Sequence, residues 1–334
     1  MTEGQALGIA VIGAGAMGRL HVAYAGGVPG ARLVAVADTD LAIAKRLAEA
    51  HGVAHHGSVA EVLQEPGVDA VIVATPAETH AEIVEQSAEA GKHVLCEKPL
   101  DCRLEPIDRA LRAVEKAGVR LQVGFNRRFD RNFQHLFEEV DASRVGEVIG
   151  VHIVSRDPVL PGPPRLINGM SALFFDTTVH DFDMLRFLTG SEIEMVHVQS
   201  ASAIHKRAEI DTAVFLVRMT NGVIATIDNS QAVYGYDQRV EVFGTEGSLS
   251  VGNETVNTVS QAGASGFHGP RLEYFYPQRY RQSYINQLNF FVGYVTHDVA
   301  PSPSGADGRA ATLAALAAQR SVDECRPVRI SEIG

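Results

Sequence analysis

Apolar residues follow two rhythms along this chain, and the rhythm changes near residue 125. Before that point they gather in short continuous runs: "LGIAVIG", "RLVAVAD", "DAVIVATP", "KHVLCEK" and "RLQVGF". Between the runs lie alanine-rich stretches such as "LAIAKRLAEAHG", "AEIVEQSAEAG" and "PIDRALRAVEKAG". They close on glycine, the residue favoured just past a helix C-terminus. Continuous apolar runs alternating with helices predict parallel strands buried on both faces. Right-handed crossovers then wind them into a doubly wound sheet.

After residue 125 the pattern predicts a helix near "RNFQHLFEEV" and a strand at "EVIGVHIVS". A loop rich in proline and glycine, "RDPVLPGPPRLING", leads into a helix over "FFDTTVHDFDMLRF". From Ile193 to Val251 apolar and polar residues alternate, with turn signals at "TNGV" and "GTEGS". Alternation of that kind predicts antiparallel strands with two unlike faces. Helices return at "YINQLNFFVGYV" and "DGRAATLAALAAQRSVDEC". The expected fold is α/β, with a Rossmann sheet over 1–125 and, over 126–334, an α+β domain built on a large, mostly antiparallel open sheet.

Composition narrows the partners. The length of 334 residues exceeds one ordinary core, and 46% apolar with 21% charged residues is a globular composition. A net charge of −11, with no basic stripe, argues against nucleic acid. No apolar run approaches the roughly 20 residues that cross a bilayer. The opening "MTEGQALGIAVIGAG" lacks the pattern of a secretory leader. Three cysteines without C-x-x-C suggest neither a disulfide framework nor a zinc site. A reducing cytoplasm and no metal are therefore expected. The histidines of "HGVAHHG" (His51, His55, His56) read as a solvated loop, and Cys96 as a small buried hydrophobe.

The first candidate chemistry is "GAGAMG", where Gly13, Gly15 and Gly18 have G-x-G-x-x-G spacing between a strand and a helix. Gly13 permits a tight turn, Gly15 the approach of a pyrophosphate, and Gly18 close helix–strand packing; Ala16 and Met17 complete the loop. The helix N-terminus offers free N–H groups to phosphate. Asp38 ends the second strand twenty residues after Gly18, where an acid bonds ribose hydroxyls. With Thr39 behind it and no nearby cation, Asp38 favours NAD over NADP. Thr75 and Pro76 lie at the same edge of the sheet, either lining the cofactor crevice or merely starting a helix. Glu97, Lys98 and Pro99 follow "KHVLC" at that edge too; Lys98 is either an exposed loop lysine or a group that reaches nicotinamide and a substrate hydroxyl.

In "FFDTTVHDFDMLRF", Asp176 and His180 lie one helical turn apart. They are either a helix cap with a core histidine, or a carboxylate orienting a base. The order "GAGAMG", "EKP", "GFNRRFD", "SRDP" and Asp176-x-x-x-His180-Asp181 resembles the Gfo/Idh/MocA oxidoreductases over nearly the whole chain, and within them the inositol 2-dehydrogenases. The resemblance implies that Lys98, Asp176 and His180 form a catalytic triad beside the nicotinamide of NAD. It implies a polyol pocket shaped by Arg127, Arg128 and Asp157, and a homo-oligomer, expected to be a tetramer. The chain departs from that pattern at Ala172 and Leu173, where glycines are usual, and at Thr177, where methionine is usual. These departures leave the identity of the polyol open.

The chemistry asks for the same groups. Oxidising a secondary alcohol needs a base for the hydroxyl proton, and histidine, with an ordinary pKa of about 6.5, is the side chain closest to neutrality. Asp176 would fix its tautomer, and Lys98 would stabilise the developing alkoxide. The rival readings are a hydrolase that cleaves a glycoside with bound NAD and no net reduction, and a nucleotide sensor without turnover.

Overall fold

A computed structural model of the chain describes residues 6–158, 166–203, 210–297 and 299–334. Residues 159–165, within the proline- and glycine-rich loop, lie outside the described residues. Two compact units are formed, Met1–Phe129 with Gln282–Thr312 and Asp130–Arg281 with Leu313–Gly334. The hydrophobic pattern marks a boundary after residue 125, but it does not reveal that a late segment rejoins the first unit.

The first unit alternates β1 (Leu7–Ile12), α1 (Ala16–Ala25), β2 (Ala31–Ala37), α2 (Leu41–His51), β3 (Ala54–His56), α3 (Val59–Leu63), β4 (Ala70–Val73), α4 (His80–Glu89), β5 (His93–Cys96), α5 (Leu104–Ala117) and β6 (Leu121–Val123). The sheet runs β3-β2-β1-β4-β5-β6, with every pairing parallel. Strands β1 and β4 are buried along their whole length, as the continuous apolar runs require. Helix α2 shows why the segments stop where they do. The Asp40 carboxylate accepts from Ala42 N–H and Ile43 N–H, and Gly52 closes the helix in the left-handed conformation at φ 66°.

Strand β3 corrects the reading of "HGVAHHG" as a loop. His55 and His56 pair in parallel with Val36 and Ala37 at the sheet edge, and His56 Nε2 lies 2.9 Å from a Glu65 carboxylate oxygen. Three residues are too few to show a periodicity, so only pairing with β2 reveals the strand.

The second unit contains α6 (Arg131–Asp141), β7 (Val148–Pro158), the hairpin β8 (Leu166–Ile167) and β9 (Met170–Ser171), a π-helical turn (Leu173–Thr178) running into α7 (Val179–Thr189), then β10 (Ile193–Ala201), β11 (Thr212–Met219), β12 (Ile224–Val233), β13 (Asp237–Gly244) and β14 (Ser248–Val251). The short hairpin β15 (Gln261–Gly263) and β16 (Gly266–His268) and the turn α8 (Tyr276–Arg279) follow. Helix α9 (Arg281–Thr296) belongs, but for its first residue, to the first unit: Leu288, Phe291 and Val292 enter the core made by Leu7, Ile9, Val11 and Ile72. Then come α10 (Gly305–Glu324) and β17 (Val328–Arg329).

The large sheet has the order β14-β13-β7-β12-β11-β10-β17. It is antiparallel except between β7 and β12. One face buries Val196, Val198, Phe215, Val217 and Ile227, and Phe174 and Phe182 meet Phe215 edge-on at 5.5 and 5.8 Å. The other face exposes Val214, Leu216 and Ile224. Among the described residues no helix is long and apolar enough to cross a membrane.

Candidate functional site

In the first unit the residues singled out by spacing stand at the C-terminal ends of β1, β2, β4 and β5, the edge where doubly wound sheets take ligands. Gly13 has φ 98°, and a Cβ there would lie 2.4 Å from the Ala74 carbonyl oxygen. A Cβ on Gly18 would lie 1.7 Å from the carbonyl oxygen of Gly13. Gly15 is different. It has an ordinary φ of −68° and a Cβ there would meet nothing within 4 Å. Two glycines are therefore required by the turn, while the third keeps a space open at the start of α1. No side chain caps that helix and no acid occupies its first turn, so its N–H groups and dipole suit a pyrophosphate. Ala16 is exposed and Met17 half-buried in this first turn. The Asp38 carboxylate accepts from Ala14 N–H at 2.7 Å and Asp40 N–H at 2.8 Å, which fixes it beside the turn.

Spacing did not single out His80, which ties two of these loops together. The buried ring sets Nδ1 2.7 Å from the Pro99 carbonyl oxygen and Nε2 2.8 Å from that of Thr75. The segments carrying Thr75–Pro76 and Glu97–Lys98 are thus bridged by one imidazole. Burial pushes the pKa of His80 below the ordinary 6.5, against the pull of both carbonyls and the nearby Glu97 carboxylate, with the Lys98 ammonium adding to the lowering. Glu97, also buried, accepts from His21 of α1 at 2.7 Å. It packs where a Cβ on Gly124 would lie 2.8 Å from its Oε2. Lys98 is half-buried. Burial pushes the Cys96 thiol well up, as befits a core residue. Nothing in the spacing of "TPAETH" distinguishes His80 from a surface histidine; its role depends on the loop that follows β5.

Arg127 and Arg128 are both buried. Arg128 pairs with Asp307 at 3.1 Å and donates to Ser302 Oγ at 3.4 Å, contacts that tie the first unit together. Asp157, on β7 of the second unit, is half-buried and accepts from Gln238 Nε2 at 3.4 Å.

Asp176 and His180 lie on the π-to-α segment of the second unit. Asp176 does not stand at the start of the helix, as its cap alternative requires, because the helix begins earlier: the backbone is already helical at Ala172, and Val179 N–H reaches back to the Phe174 carbonyl. Throughout residues 171–185 every residue is buried except Asp176, which is exposed, and His180, which is half-buried. Four residues of α winding fall only about 40° past a full turn, and the wider π winding narrows that angle. Carboxylate and imidazole therefore share the one solvent-facing strip of an otherwise buried helix. Asp181 and Asp183 are both buried, and Asp181 Oδ2 accepts from Asn229 Nδ2 at 3.0 Å.

Two outcomes are expected. Gly15→Ala fills the open space at the start of α1 and should raise the Kd for NAD about tenfold or more while leaving the melting temperature unchanged; Gly18→Ala should lower the melting temperature itself, both read by calorimetry. For His80 the folded pKa lies below the unfolded one, so the unfolded chain takes the proton first as the pH falls below 6.5. Stability should therefore decline on acidification below that value. Urea unfolding between about pH 8 and pH 5.5 should show a smaller decline for His80→Gln than for the parent.

Residues 7–125 match the Gfo/Idh/MocA oxidoreductase family, NAD-binding Rossmann fold, and residues 133–250 match the Gfo/Idh/MocA C-terminal domain. The chain is 40% identical over 331 residues to myo-inositol 2-dehydrogenase of Thermotoga maritima, covering 97% of this chain and 99% of that one. It is 38% identical to inositol 2-dehydrogenase of Rhizobium meliloti, with 96% and 98% covered. The crystal structure of myo-inositol dehydrogenase from Lactobacillus casei in complex with NAD(H) and myo-inositol superposes with a TM-score of 0.89 at 26% identity, with 97% of each chain covered. The open cradle at Gly15, the uncapped start of α1 and the fixed Asp38 carboxylate are what a dinucleotide of this kind asks for. The chain belongs to the Gfo/Idh/MocA family of NAD-dependent oxidoreductases.

Proposed function

We propose that this protein oxidises myo-inositol, or a closely related cyclitol or pyranose, to the ketone at one secondary hydroxyl. The observation that carries this reading is the Asp176–His180 strip, the only part of residues 171–185 to reach solvent. Relatives named for inositol oxidation over almost their whole length supply the substrate class. NAD, when bound, supplies the hydride acceptor.

The rest falls to side chains of this chain. His180 takes the hydroxyl proton, and its half-exposed ring can pass that proton on to water. Asp176 holds the imidazole in the tautomer that leaves one nitrogen free to accept, and stabilises the imidazolium. Lys98, donor-only and cationic, steadies the charge growing on the alcohol oxygen. Asp157 accepts from further polyol hydroxyls, and Arg127 donates to them. Arg128, the other arginine assigned to the polyol, is already paired with Asp307. Thr177, buried beside Asp176, has its hydroxyl engaged by Gln231 Nε2 at 3.0 Å.

We place the protein in the cytoplasm as a homotetramer assembled through the uncovered face of the large sheet. Val214, Leu216 and Ile224 lie there on the adjacent strands β11 and β12, an apolar patch that an isolated subunit would leave in water.

NAD reduction at 340 nm is expected with myo-inositol among a panel of cyclitols and pyranoses. His180→Ala should lower kcat by at least about 100-fold while the Kd for NAD stays within about threefold. Full turnover in that variant would remove the proposed base, and cleavage of a glycoside without net NADH would replace the dehydrogenase by the hydrolase. Leu216→Glu should convert the assembly to smaller species by light scattering; an unchanged mass would place the interface elsewhere.

A further inference from the structure

The π turn ahead of His180 is held by three polar side chains that never reach solvent. Thr178 Oγ1 donates to the Leu173 carbonyl five residues earlier at 2.8 Å, the carbonyl that a π turn pairs with position 178. Asn229, at the centre of the sheet on β12 with β7 and β11 on its flanks, donates from Nδ2 to that same Oγ1 at 3.2 Å and to Asp181 Oδ2 at 3.0 Å. Thr178, Asp181 and Asn229 each have no exposed surface.

Such a knot is an expensive way to attach a helix to a sheet. Phe174 and Phe182 already anchor it apolarly on Phe215. A buried carboxylate bears a desolvation cost that well-packed apolar side chains avoid, so groups of this kind are retained where they fix one geometry against another. The competing geometry here is plain α winding. Over the six residues of the π turn it would rotate the preceding segment by about 100°, carrying Phe174 off Phe215, and it would open the angle between Asp176 and His180 to about 40°. Thr178 opposes that change at the Leu173 carbonyl, and Asn229 holds the Thr178 hydroxyl there.

We propose that Asn229 and Thr178 are positioning residues, which lock the π turn so that Asp176 stays in line with His180 instead of about 40° to its side. This rests on the assignment of that pair as orienter and base. Thr178→Val keeps the shape and removes the hydroxyl. It should lower kcat about tenfold or more and move the acid limb of kcat/KM to lower pH, as the base loses its oriented carboxylate. The Kd for NAD should stay within about twofold, and Thr178→Ser should restore kcat to within about threefold. Asn229→Ala should give a similar loss, and the double variant no more than either alone, because the two residues act as one unit.

Should Thr178→Val fail to bind NAD, Thr178→Ala removes the same hydroxyl without added bulk and carries the same expectation. Failure of both to bind NAD would show the hydroxyl holding the fold and would overturn the proposal. Normal kcat with an unshifted pH profile in Thr178→Val, where His180→Ala is inactive, overturns the lock alone. An active His180→Ala overturns the base and the lock together.

Discussion

A methyl group on Gly18 would stand 1.7 Å from the Gly13 carbonyl, and the need to avoid that contact governs the whole first unit. Because Gly18 carries no side chain, α1 can start hard against the end of β1. Because it starts there, its N-terminal N–H groups stand at the edge of the sheet beside the neighbouring strands β1 and β4, where the strand order reverses. The parallel order β3-β2-β1-β4-β5-β6 then brings three more loops to the same edge. Each adds a different chemistry: a carboxylate at Asp38, a hydroxyl at Thr75 and an ammonium at Lys98. His80 bridges the last two loops through backbone carbonyls, so their spacing is a property of the fold.

Much of this was legible in the order of residues, because a glycine spacing and a strand-terminal acid are local facts about backbone geometry. Asp38 and the three glycines took up the positions their spacing implied. What escaped depends on contacts between distant segments. Strand β3 exists through its pairing with β2, β17 through its pairing with β10, and the return of α9 through a core whose other members lie between Leu7 and Leu95. His80 belongs to the same class, since its meaning comes from Pro99.

The second unit teaches a related lesson from the opposite direction. "FFDTTVHDFDMLRF" fits a plain helix with Asp176 at its cap, since an acid ahead of an apolar run is the ordinary signal for a start. The actual helix begins earlier and winds wide, with the carbonyl of Leu173 accepting from Thr178 Oγ1, which itself accepts from Asn229. The departure from regular α geometry falls where the only two solvent-facing residues of the segment are displayed. Local preference has been overridden at the place where chemistry is proposed, as is common for π turns.

The Asp38 carboxylate has a further significance. It accepts from Ala14 inside the glycine turn and from Asp40 at the cap of α2. Any redesign toward a phosphorylated dinucleotide begins by removing this acid, since a 2′-phosphate and a carboxylate repel. Here that step would also release two backbone amides and loosen both the turn and the neighbouring cap. Asp38 is thereby welded to architecture: exchanging it takes a replacement that neutralises the charge and still offers two acceptors.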